Sequence, residues 1–347
     1  LVFWMDYACR LNVEPHVCCS STKTAAARQR IEFHKTSFCG CSPQSCFSFG
    51  TSQLAGDYLG PHFFMREYFE MPIMIILAFL LKGQHQASHD HPVVLDIGMN
   101  TGWYTNLMYG AGAEVLAFEV QPFCFDLAGT AIRHQLSEAS STPPPRLYQI
   151  ALGDAGGSLD FIFRPHLCQG VVFVLEETGH FRSATKKRIG ERVSVPLHLL
   201  DGIVAAECRP EILAMKIDTE GAEVKVLLGA LKLIAKVRNF LIEVAPVWWH
   251  KYNVSMNEGA ALFEWVATTG GRASYLLWMK PPYPPDELGS GLRRLIAAEN
   301  PILRQKGTSC GRWNASISLM WRITNWTAFI HSSYSGNVWI TKEPWAQ

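Results

Sequence analysis

Acidic side chains cluster at the end of one apolar segment of this 347-residue sequence. The stretch "LAMKIDTEGAEVKVL", Leu213 to Leu227, begins like a buried strand and then carries Asp218, Glu220 and Glu223. Because burying an unpaired charge costs of the order of several kcal/mol, acids at this position need a partner or a function. Strand alternation predicts that Lys216, Asp218 and Glu220 lie on one side, where Lys216 partly compensates Asp218.

These acids could carry chemistry at the carboxyl end of the predicted strand. A carboxylate that removes a hydroxyl proton can add roughly 10²- to 10⁴-fold to a rate, and we predict this role for Asp218 or Glu220. Glu243, at the end of the next predicted strand, "NFLIEVA", is a third acid within reach. Carboxylates also suit Mg²⁺, but no histidine stands among them, so we predict no metal site and leave metal dependence open. Glu223 could equally offset the dipole of the following helix or take part in catalysis.

A second group of polar residues follows an earlier predicted strand, in "VVLDIGMNTGWYT", Val93 to Thr105. Glycines in such a turn adopt conformations that a Cβ forbids and let a ligand approach the backbone closely. A dinucleotide fingerprint would place glycine where Asn100 and Trp103 stand, and the sequence has no G-K-[ST] loop, so NAD and nucleoside triphosphates are disfavoured. The candidate cofactor-binding residues of this turn are Asp96, Gly98, Asn100, Thr101 and Gly102.

Glu119 ends the next predicted strand, "EVLAFE", where a carboxylate can accept hydrogen bonds from both hydroxyl groups of a ribose. Together with the glycine turn, this acid suits an adenosyl group that lacks phosphates. A glycine-rich turn and a solvated glutamate are each common on their own. Their order on consecutive strands favours a cofactor site that includes Glu119.

The elements that position these residues alternate between short β-branched runs and helical stretches, which is typical of a parallel sheet with crossover helices. The predicted core strands are residues 93–97, 114–119, 146–152, 212–218 and 239–245. The predicted helices are residues 65–81, 122–136, 222–236 and 257–268. We expect "SLDFIF" and "ERVSVPL" to be edge strands whose pairing stops at Pro196. The Trp-rich tail is expected to supply the last, antiparallel strand.

The sequence resembles the S-adenosylmethionine-dependent methyltransferases of the FkbM family in five ordered stretches. They are "VVLDIGMNTGWYT", "VLAFEVQP", "YQIALGDAGGSLDF", "LAMKIDTEGAEVKVLLGA" and "FLIEVAP", within Pro92 to Met279, and K-I-D-x-E-G-A-E is the most specific part. The resemblance implies a Rossmann-like α/β methyltransferase sheet, mostly parallel with a final antiparallel strand. It also implies S-adenosyl-L-methionine as cofactor and a hydroxyl group of a small molecule or glycan as acceptor. Asp154 would meet the adenine amino group, although a turn aspartate before two glycines is the alternative.

Residues 1–60 are rich in Ser, Thr and Cys and have no sustained period, which leads to an expected division of the chain. Residues 1–60 would form an irregular Cys-rich extension and residues 61–347 the methyltransferase domain, with its core at 92–280 and a Trp-rich part at 281–347. Two other functions stay open: N-methylation of a protein or amine, and a non-catalytic binding module on the same fold.

Two further motifs have competing interpretations. "KPPY", Lys280 to Tyr283, is similar to the [DN]-P-P-Y loop that grips an exocyclic amine, but it follows a different strand and lysine cannot accept a hydrogen bond. A proline-stiffened loop is therefore predicted there. Trp248, Trp249 and His250 could form a stacking platform for a sugar ring, with His250 as a general base, or a rim of core aromatic residues.

Composition excludes several classes of partner. Hydrophobic residues make up 48% and charged residues 18% of the chain, as in compact globular proteins. The 31 Lys and Arg balance the 30 Asp and Glu, so no net field favours nucleic acid or an anionic membrane. The longest apolar run, in "MPIMIILAFLLKG", is about half of the ~20 residues that a spanning helix needs, so no membrane span is predicted. The sequence indicates no oligomeric state.

Cysteines and glycosylation sequons bear on the compartment. Six of the ten cysteines lie in the first 46 residues, and sequons occur at Asn253, Asn314 and Asn325. The cysteines could form disulfides, bind zinc through "CGCSPQSC" with His34 or His62, or remain free thiols. We expect either the secretory pathway or the cytoplasm.

Overall fold

The fold is described from a computed structural model of the chain. The described residues are 31–37, 46–52, 73, 76–77, 80–81, 91–136, 142–163, 168, 173–174, 191–206, 211–277, 296–298, 320–332 and 336–342. In this part of the chain, no helix combines the length and the apolar character needed to cross a bilayer.

Strands and helices are numbered along the chain. The strands are β1 (Ile31–Ser37), β2 (Cys46–Ser52), β3 (Val93–Ile97), β4 (Glu114–Phe118), β5 (Arg146–Tyr148), β6 (Ala151–Leu152), β7 (Gly157–Phe163), β8 (Phe173–Val174), β9 (Glu191–His198), β10 (Ile212–Ile217), β11 (Val237–Val244), β12 (Arg272–Leu277), β13 (Ile296–Ala298), β14 (Met320–Ile323) and β15 (Gly336–Lys342). The helices are α1 (Trp103–Gly110), α2 (Pro122–Leu136), α3 (Leu200–Ala206), α4 (Glu223–Leu228), α5 (Pro246–Trp249), α6 (Met256–Thr268) and α7 (Trp326–His331).

A nine-stranded sheet organises the fold, in the order β13-β14-β12-β15-β11-β10-β3-β4-β5. The strands β11, β10, β3, β4 and β5 are parallel, whereas β15 runs antiparallel to both of its neighbours, β11 and β12. This arrangement confirms the predicted Rossmann-like sheet, which is mostly parallel with antiparallel C-terminal strands. The strand β15 is the last described strand of the chain but lies inside the sheet, between β11 and β12. Because the parallel strands share one direction, β4, β3, β10 and β11 present their carboxyl ends side by side.

Apolar side chains cover both faces of this sheet, which is why its central strands are buried along their whole length. On one face Phe263 stacks between Trp249 and Trp326, with ring centroids 5.9 and 5.0 Å away. The other face packs against the helical residues of the predicted 65–81 segment that the structure describes, which are Ile73, Ile76, Leu77, Leu80 and Leu81.

Two predicted elements have the wrong extent. The predicted strand 146–152 divides into β5, in the main sheet, and β6, in a second sheet. The predicted helix 222–236 ends at Leu228, and turns follow it. Gly229 caps this end. An added Cβ there would lie 2.0 Å from the carbonyl oxygen of Gly153, so the chain passes the end of β6 at a distance that only glycine allows.

A second sheet has the order β6-β9-β7-β8. It contains "SLDFIF" and "ERVSVPL", which we predicted as edge strands with pairing that stops at Pro196. That prediction is wrong, because Pro196 lies opposite Ser158 inside the β7–β9 ladder. Strand β9 continues to His198 and pairs in parallel with β6.

The N-terminal strands β1 and β2 pair in an antiparallel hairpin, so this part of the predicted irregular extension is regular. The predicted boundary at residue 60 stays a prediction. The side chains of the N-terminal cysteines, and with them the zinc and disulfide alternatives, lie outside the described residues. So do the "KPPY" loop and Asn314.

A disulfide joins Cys124, on α2, to Cys168. Both cysteines are buried, and Leu127 packs with them. The clustering of cysteines near the N-terminus did not indicate this pair, because both of its members lie outside that cluster. Of the described sequons, Asn253 is exposed and Asn325 caps α7.

Candidate active site

Asp96 lies on β3 with a completely buried carboxyl group. The Thr105 hydroxyl, on α1, donates a hydrogen bond to its Oδ2 at 2.6 Å, and Nζ of Lys216 lies 3.8 Å from its Oδ1. Burial raises the pKa of Asp96, and the Lys216 ammonium and the Thr105 hydroxyl offset this rise only in part. Because Oδ1 has no hydrogen-bond partner, one oxygen of this buried group can accept a bond from a ligand.

The turn between β3 and α1 needs left-handed backbone conformations. The φ angles are 78° at Gly98, 52° at Asn100 and 79° at Gly102. A Cβ on Gly98 would lie 1.8 Å from the carbonyl oxygen of Asp218, and one on Gly102 would lie 2.8 Å from Cβ of Ala128. Glycine is therefore required at both positions, and Gly98 is the point where this turn touches the end of β10.

Glu119 follows β4 and joins the ends of two neighbouring strands. Its Oε2 accepts a hydrogen bond from the backbone N–H of Asn100, and its Oε1 accepts one from the backbone N–H of Gln121, each at 2.8 Å. Burial raises the pKa of Glu119, whereas these bonds act in the opposite direction. The backbone N–H of Val120 and the side chain of Gln121 also act on this carboxylate, so a ligand hydroxyl that binds Glu119 would compete with one of these donors.

Three buried oxygens near this turn lack a hydrogen-bond partner: Asp96 Oδ1, Asn100 Oδ1 and Asn106 Oδ1. Buried acceptors seldom remain unpaired in proteins. All three lie on the β3–α1 segment, and they would be satisfied by a ligand with N–H donors, such as an amino group. Together with the Glu119 carboxylate, which accepts hydrogen bonds from hydroxyl groups, this set of acceptors fits an adenosyl amino acid better than a pyrophosphate. The sequence motifs did not indicate Asn106 or Thr105 as site residues; both lie one helical turn beyond the glycine turn.

The predicted catalytic acids come together at the ends of β10 and β11. Asp218, Glu220 and Glu243 each place a carboxylate oxygen within 4.8 Å of the others, and all three are half-buried. Such a group can share a proton or hold a cation. Glu220 has a φ of 53°, so its backbone takes a left-handed turn between Asp218 and the start of α4.

Lys216 connects these acids to Asp96 on β3. Its Nζ donates to Asp218 Oδ2 at 3.0 Å, lies 3.8 Å from Asp96 Oδ1 and sits 4.8 Å from the centroid of the Tyr104 ring. Burial alone would raise the pKa of Asp218, but the Lys216 ammonium and a hydrogen bond with Glu243 outweigh burial and lower it. Asp218 is thereby kept ionised, as the predicted pairing with Lys216 requires.

Glu223 is fully buried at the start of α4. Its Oε1 accepts the backbone N–H of Gly221 at 2.6 Å, and its Oε2 accepts the indole N–H of Trp249 at 3.0 Å. Burial raises its pKa to about 7. The two alternatives from the sequence, helix dipole and catalysis, do not account for these contacts, which point back to the turn and across to α5.

Trp249 is buried in the core, so it is not part of an open platform for a sugar ring. Its neighbour Trp248 is half-buried, with Nζ of Lys251 3.6 Å from the ring centroid. His250 is exposed. The predicted group therefore divides into a core residue, Trp249, a half-buried residue, Trp248, and an exposed residue, His250.

Asp154 makes a contact that the sequence did not indicate. Its Oδ2 accepts a hydrogen bond from Nζ of Lys225 at 2.8 Å, and its side chain is 39% exposed. Lys225 lies on α4, so this pair ties the end of β6 to the helix behind the acidic turn. The predicted contact between Asp154 and an adenine stays a prediction.

Comparison with known proteins gives one domain match. Residues 96–266 match the methyltransferase FkbM domain. None of the curated proteins matches the chain significantly.

Several solved structures resemble the chain, all at low identity. The METTL16 MTase domain is 14% identical with a TM-score of 0.32, over 58% of this chain and 59% of that one. The rRNA methylase from Streptococcus thermophilus is 15% identical with a TM-score of 0.32, over 61% and 91%. The plantazolicin methyltransferase BamL, in complex with a triazolic desmethylPZN analog and SAH, is 10% identical with a TM-score of 0.35, over 82% and 90%.

The FkbM domain match begins at Asp96 and includes Glu119, Asp218 and Glu243. The two groups of polar residues at the strand ends therefore belong to one domain. The match also confirms the family and the cofactor that the sequence motifs implied. Residues 96–266 form an S-adenosyl-L-methionine-dependent methyltransferase domain of the FkbM family.

Proposed function

We propose that this domain methylates a hydroxyl group of a small molecule or glycan, with Asp218 as the general base. The observation that carries the proposal is the group of half-exposed carboxylates of Asp218, Glu220 and Glu243, within 4.8 Å of one another. Carboxylates accept protons and hydrogen bonds from hydroxyl groups. The carboxylates of Asp218, Glu220 and Glu243 lie next to the ends of β3 and β4, which carry the buried hydrogen-bond acceptors suited to the cofactor.

The cofactor supplies an electrophilic methyl group when it is bound. Glu119 would accept hydrogen bonds from the ribose hydroxyls of the cofactor. The Oδ1 atoms of Asp96 and Asn100, which lack a hydrogen-bond partner, would accept hydrogen bonds from its amino group. Gly98 and Gly102 leave room for close approach to the backbone. These residues bind and orient, and holding two reactants in line can supply much of a rate enhancement.

On the acceptor side, Asp218 is kept ionised by Lys216 and is therefore ready to take a proton. Its side chain is 25% exposed, so an acceptor can reach it. Glu220 and Glu243 offer further hydrogen-bond acceptors around the same point. Several acceptors in one place suit a polyhydroxylated molecule, in which neighbouring hydroxyls can be held while one of them reacts.

The proposal is tested by a transfer screen with tritiated-methyl S-adenosyl-L-methionine against small-molecule extracts and glycan pools. Wild-type protein should place tritium in a methyl ether. Asp218→Asn should lower the initial rate roughly 10²- to 10⁴-fold, because the amide cannot take the hydroxyl proton. The matched control is Asp160→Asn, since Asp160 in β7 also pairs with a cation, Arg192, but lies in the second sheet. It should transfer at the wild-type rate.

Other outcomes would contradict the proposal. Tritium in a methylamine would indicate N-methylation. Binding of S-adenosylhomocysteine in calorimetry, with no transfer to any pool, would indicate a binding module. Equal rates for Asp218→Asn and wild type would remove Asp218 as the base.

A further inference from the structure

The turn that carries the acceptor-side acids has an unfavourable local conformation. Glu220 has a φ of 53° and Gly221 a φ of 109°. A left-handed conformation costs a residue with a Cβ roughly 1–2 kcal/mol, so Glu220 needs tertiary contacts to hold it there. Gly221 cannot carry a side chain either, because a Cβ would lie 2.5 Å from Cβ of Trp248.

Glu223 supplies contacts that hold this turn. Its Oε1 accepts hydrogen bonds from the backbone N–H of Gly221 at 2.6 Å and from the Thr219 hydroxyl at 3.4 Å. Both partners lie within the turn, on either side of Glu220. One carboxylate oxygen therefore bridges the residues that flank a predicted catalytic acid.

The second oxygen of Glu223 is bound to a rigid partner. It accepts the indole N–H of Trp249 at 3.0 Å, and Trp249 is 1% exposed and stacked on Phe263. Gly259, on α6, makes room for this indole, because a Cβ there would lie 2.0 Å from its Cζ3. The turn is thus fastened, through Glu223, to a residue that the core holds in place.

We infer that Glu223 is a positioning residue, which sets the placement of the Asp218 and Glu220 carboxylates by fastening their turn to Trp249. The inference rests on the proposed function for its effect on the rate, because the fully buried Glu223 would act through the residues of the turn. Its contacts lie on the acceptor side, away from the Asn100 and Gln121 amides that orient Glu119.

The test uses Glu223→Gln and Trp249→Phe in the full chain. Gln has one acceptor oxygen, so its amide group opposes either the Gly221 N–H or the indole N–H, and Phe removes the indole donor. With the acceptor fraction found in the transfer screen, kcat should fall roughly 10- to 100-fold in each variant, as expected for a small misplacement of reacting groups. The dissociation constant of S-adenosylhomocysteine should stay within about twofold of wild type.

A matched control and a second readout keep the two proposals separable. Glu258→Gln changes another hydrogen-bonded glutamate, in the capping box of α6, and should leave kcat unchanged. Hydrogen–deuterium exchange needs no acceptor: Glu223→Gln should speed exchange in a peptide over residues 216–222 and not in one over 94–101.

The loss in the double variant should be smaller than the product of the two single losses, because both changes break the same contact. An unchanged kcat, or equal losses of kcat and cofactor affinity, would overturn the inference. If wild-type protein transfers no methyl group, the proposed function fails, and exchange over residues 216–222 still decides whether Glu223 holds the turn. Unchanged exchange there would overturn the inference by itself.

Discussion

The acids at the ends of β3 and β4 differ in their surroundings from those at the ends of β10 and β11. Asp96 and Glu119 are buried, and backbone amides or a hydroxyl hold their carboxylate oxygens. Asp218 and Glu243 are half-buried and lie close to each other at the carboxyl ends of β10 and β11. Buried acids with fixed donors suit the binding of one invariant ligand, whereas half-exposed acids suit the exchange of a proton with an incoming acceptor.

The pKa values of the two regions follow this difference. Burial raises the pKa of Asp96 and of Glu119. Asp218 is also desolvated, but Lys216 and Glu243 lower its pKa. The buried Lys216 ammonium lies between Asp96 and Asp218. It favours the ionised form of Asp218 more strongly, because its contact with Asp218 is the shorter one.

Gly98 is where the two regions touch, so Gly98→Ala is the most severe test of their separate roles. Its Cβ would overlap the carbonyl oxygen of Asp218, and its φ of 78° disfavours alanine. We expect a loss of about 2–5 kcal/mol in the free energy of unfolding. Urea unfolding measures this, with Gly202→Ala as control, since Gly202 has no neighbour within 4 Å of its added Cβ. Equal stability of the two variants would mean that the contact between the regions is loose.

The buried Glu223 makes the stability of the fold sensitive to pH. Its folded-state pKa of about 7 lies above its usual value of 4.5, so its contribution to stability is complete below pH 4.5 and is lost as pH rises through 7. The loss is about 3 kcal/mol. Glu223→Gln should flatten the decline in unfolding free energy between pH 5 and pH 8, measured by urea unfolding. A decline as steep as that of wild type would assign the pH dependence to Asp96 and Glu119 instead.

Glu119→Gln tests the cofactor side alone. The new amide group would oppose the backbone N–H of Asn100 or Gln121 and would leave one acceptor fewer for the ribose. The affinity for S-adenosylhomocysteine in calorimetry should fall by about 1–3 kcal/mol. Glu114→Gln, at the other end of β4, is the control, because Glu114 pairs with Arg146 and should not affect affinity. Unchanged affinity for Glu119→Gln would place the ribose elsewhere.

Chelation should have the smallest effect. Asp218, Glu220 and Glu243 are spaced closely enough for a divalent cation, but the Lys216 ammonium already neutralises Asp218 at 3.0 Å. The initial rate of methyl transfer should therefore stay within about twofold after treatment with EDTA, since hydrated Mg²⁺ gains little from a carboxylate that is already paired. Loss of activity that Mg²⁺ restores would show that the three acids hold a metal ion.

Local patterns were sufficient to predict the main sheet and the positions of its acids. The strand at Val93–Ile97 is apolar except for Asp96, and the strand at Ile212–Ile217 is apolar except for Lys216. A turn that contains glycine follows each of them. Such apolar runs report burial within one segment. They failed for residues 146–152, because the change of sheet after Tyr148 depends on pairing with β9, whose sequence lies far away.

The residue types and their order along the chain were enough to establish the family, the cofactor and the acids at the strand ends, because side-chain chemistry and strand periodicity are local properties. Pairings between distant segments followed only from the folded chain. The register of β10 against β3 brings Lys216 between two acids and makes Gly98 touch Asp218. The packing of α5 on α6 places the Trp249 indole where Glu223 can bind it. Such contacts depend on the relative placement of whole strands and helices, which no single segment of sequence encodes.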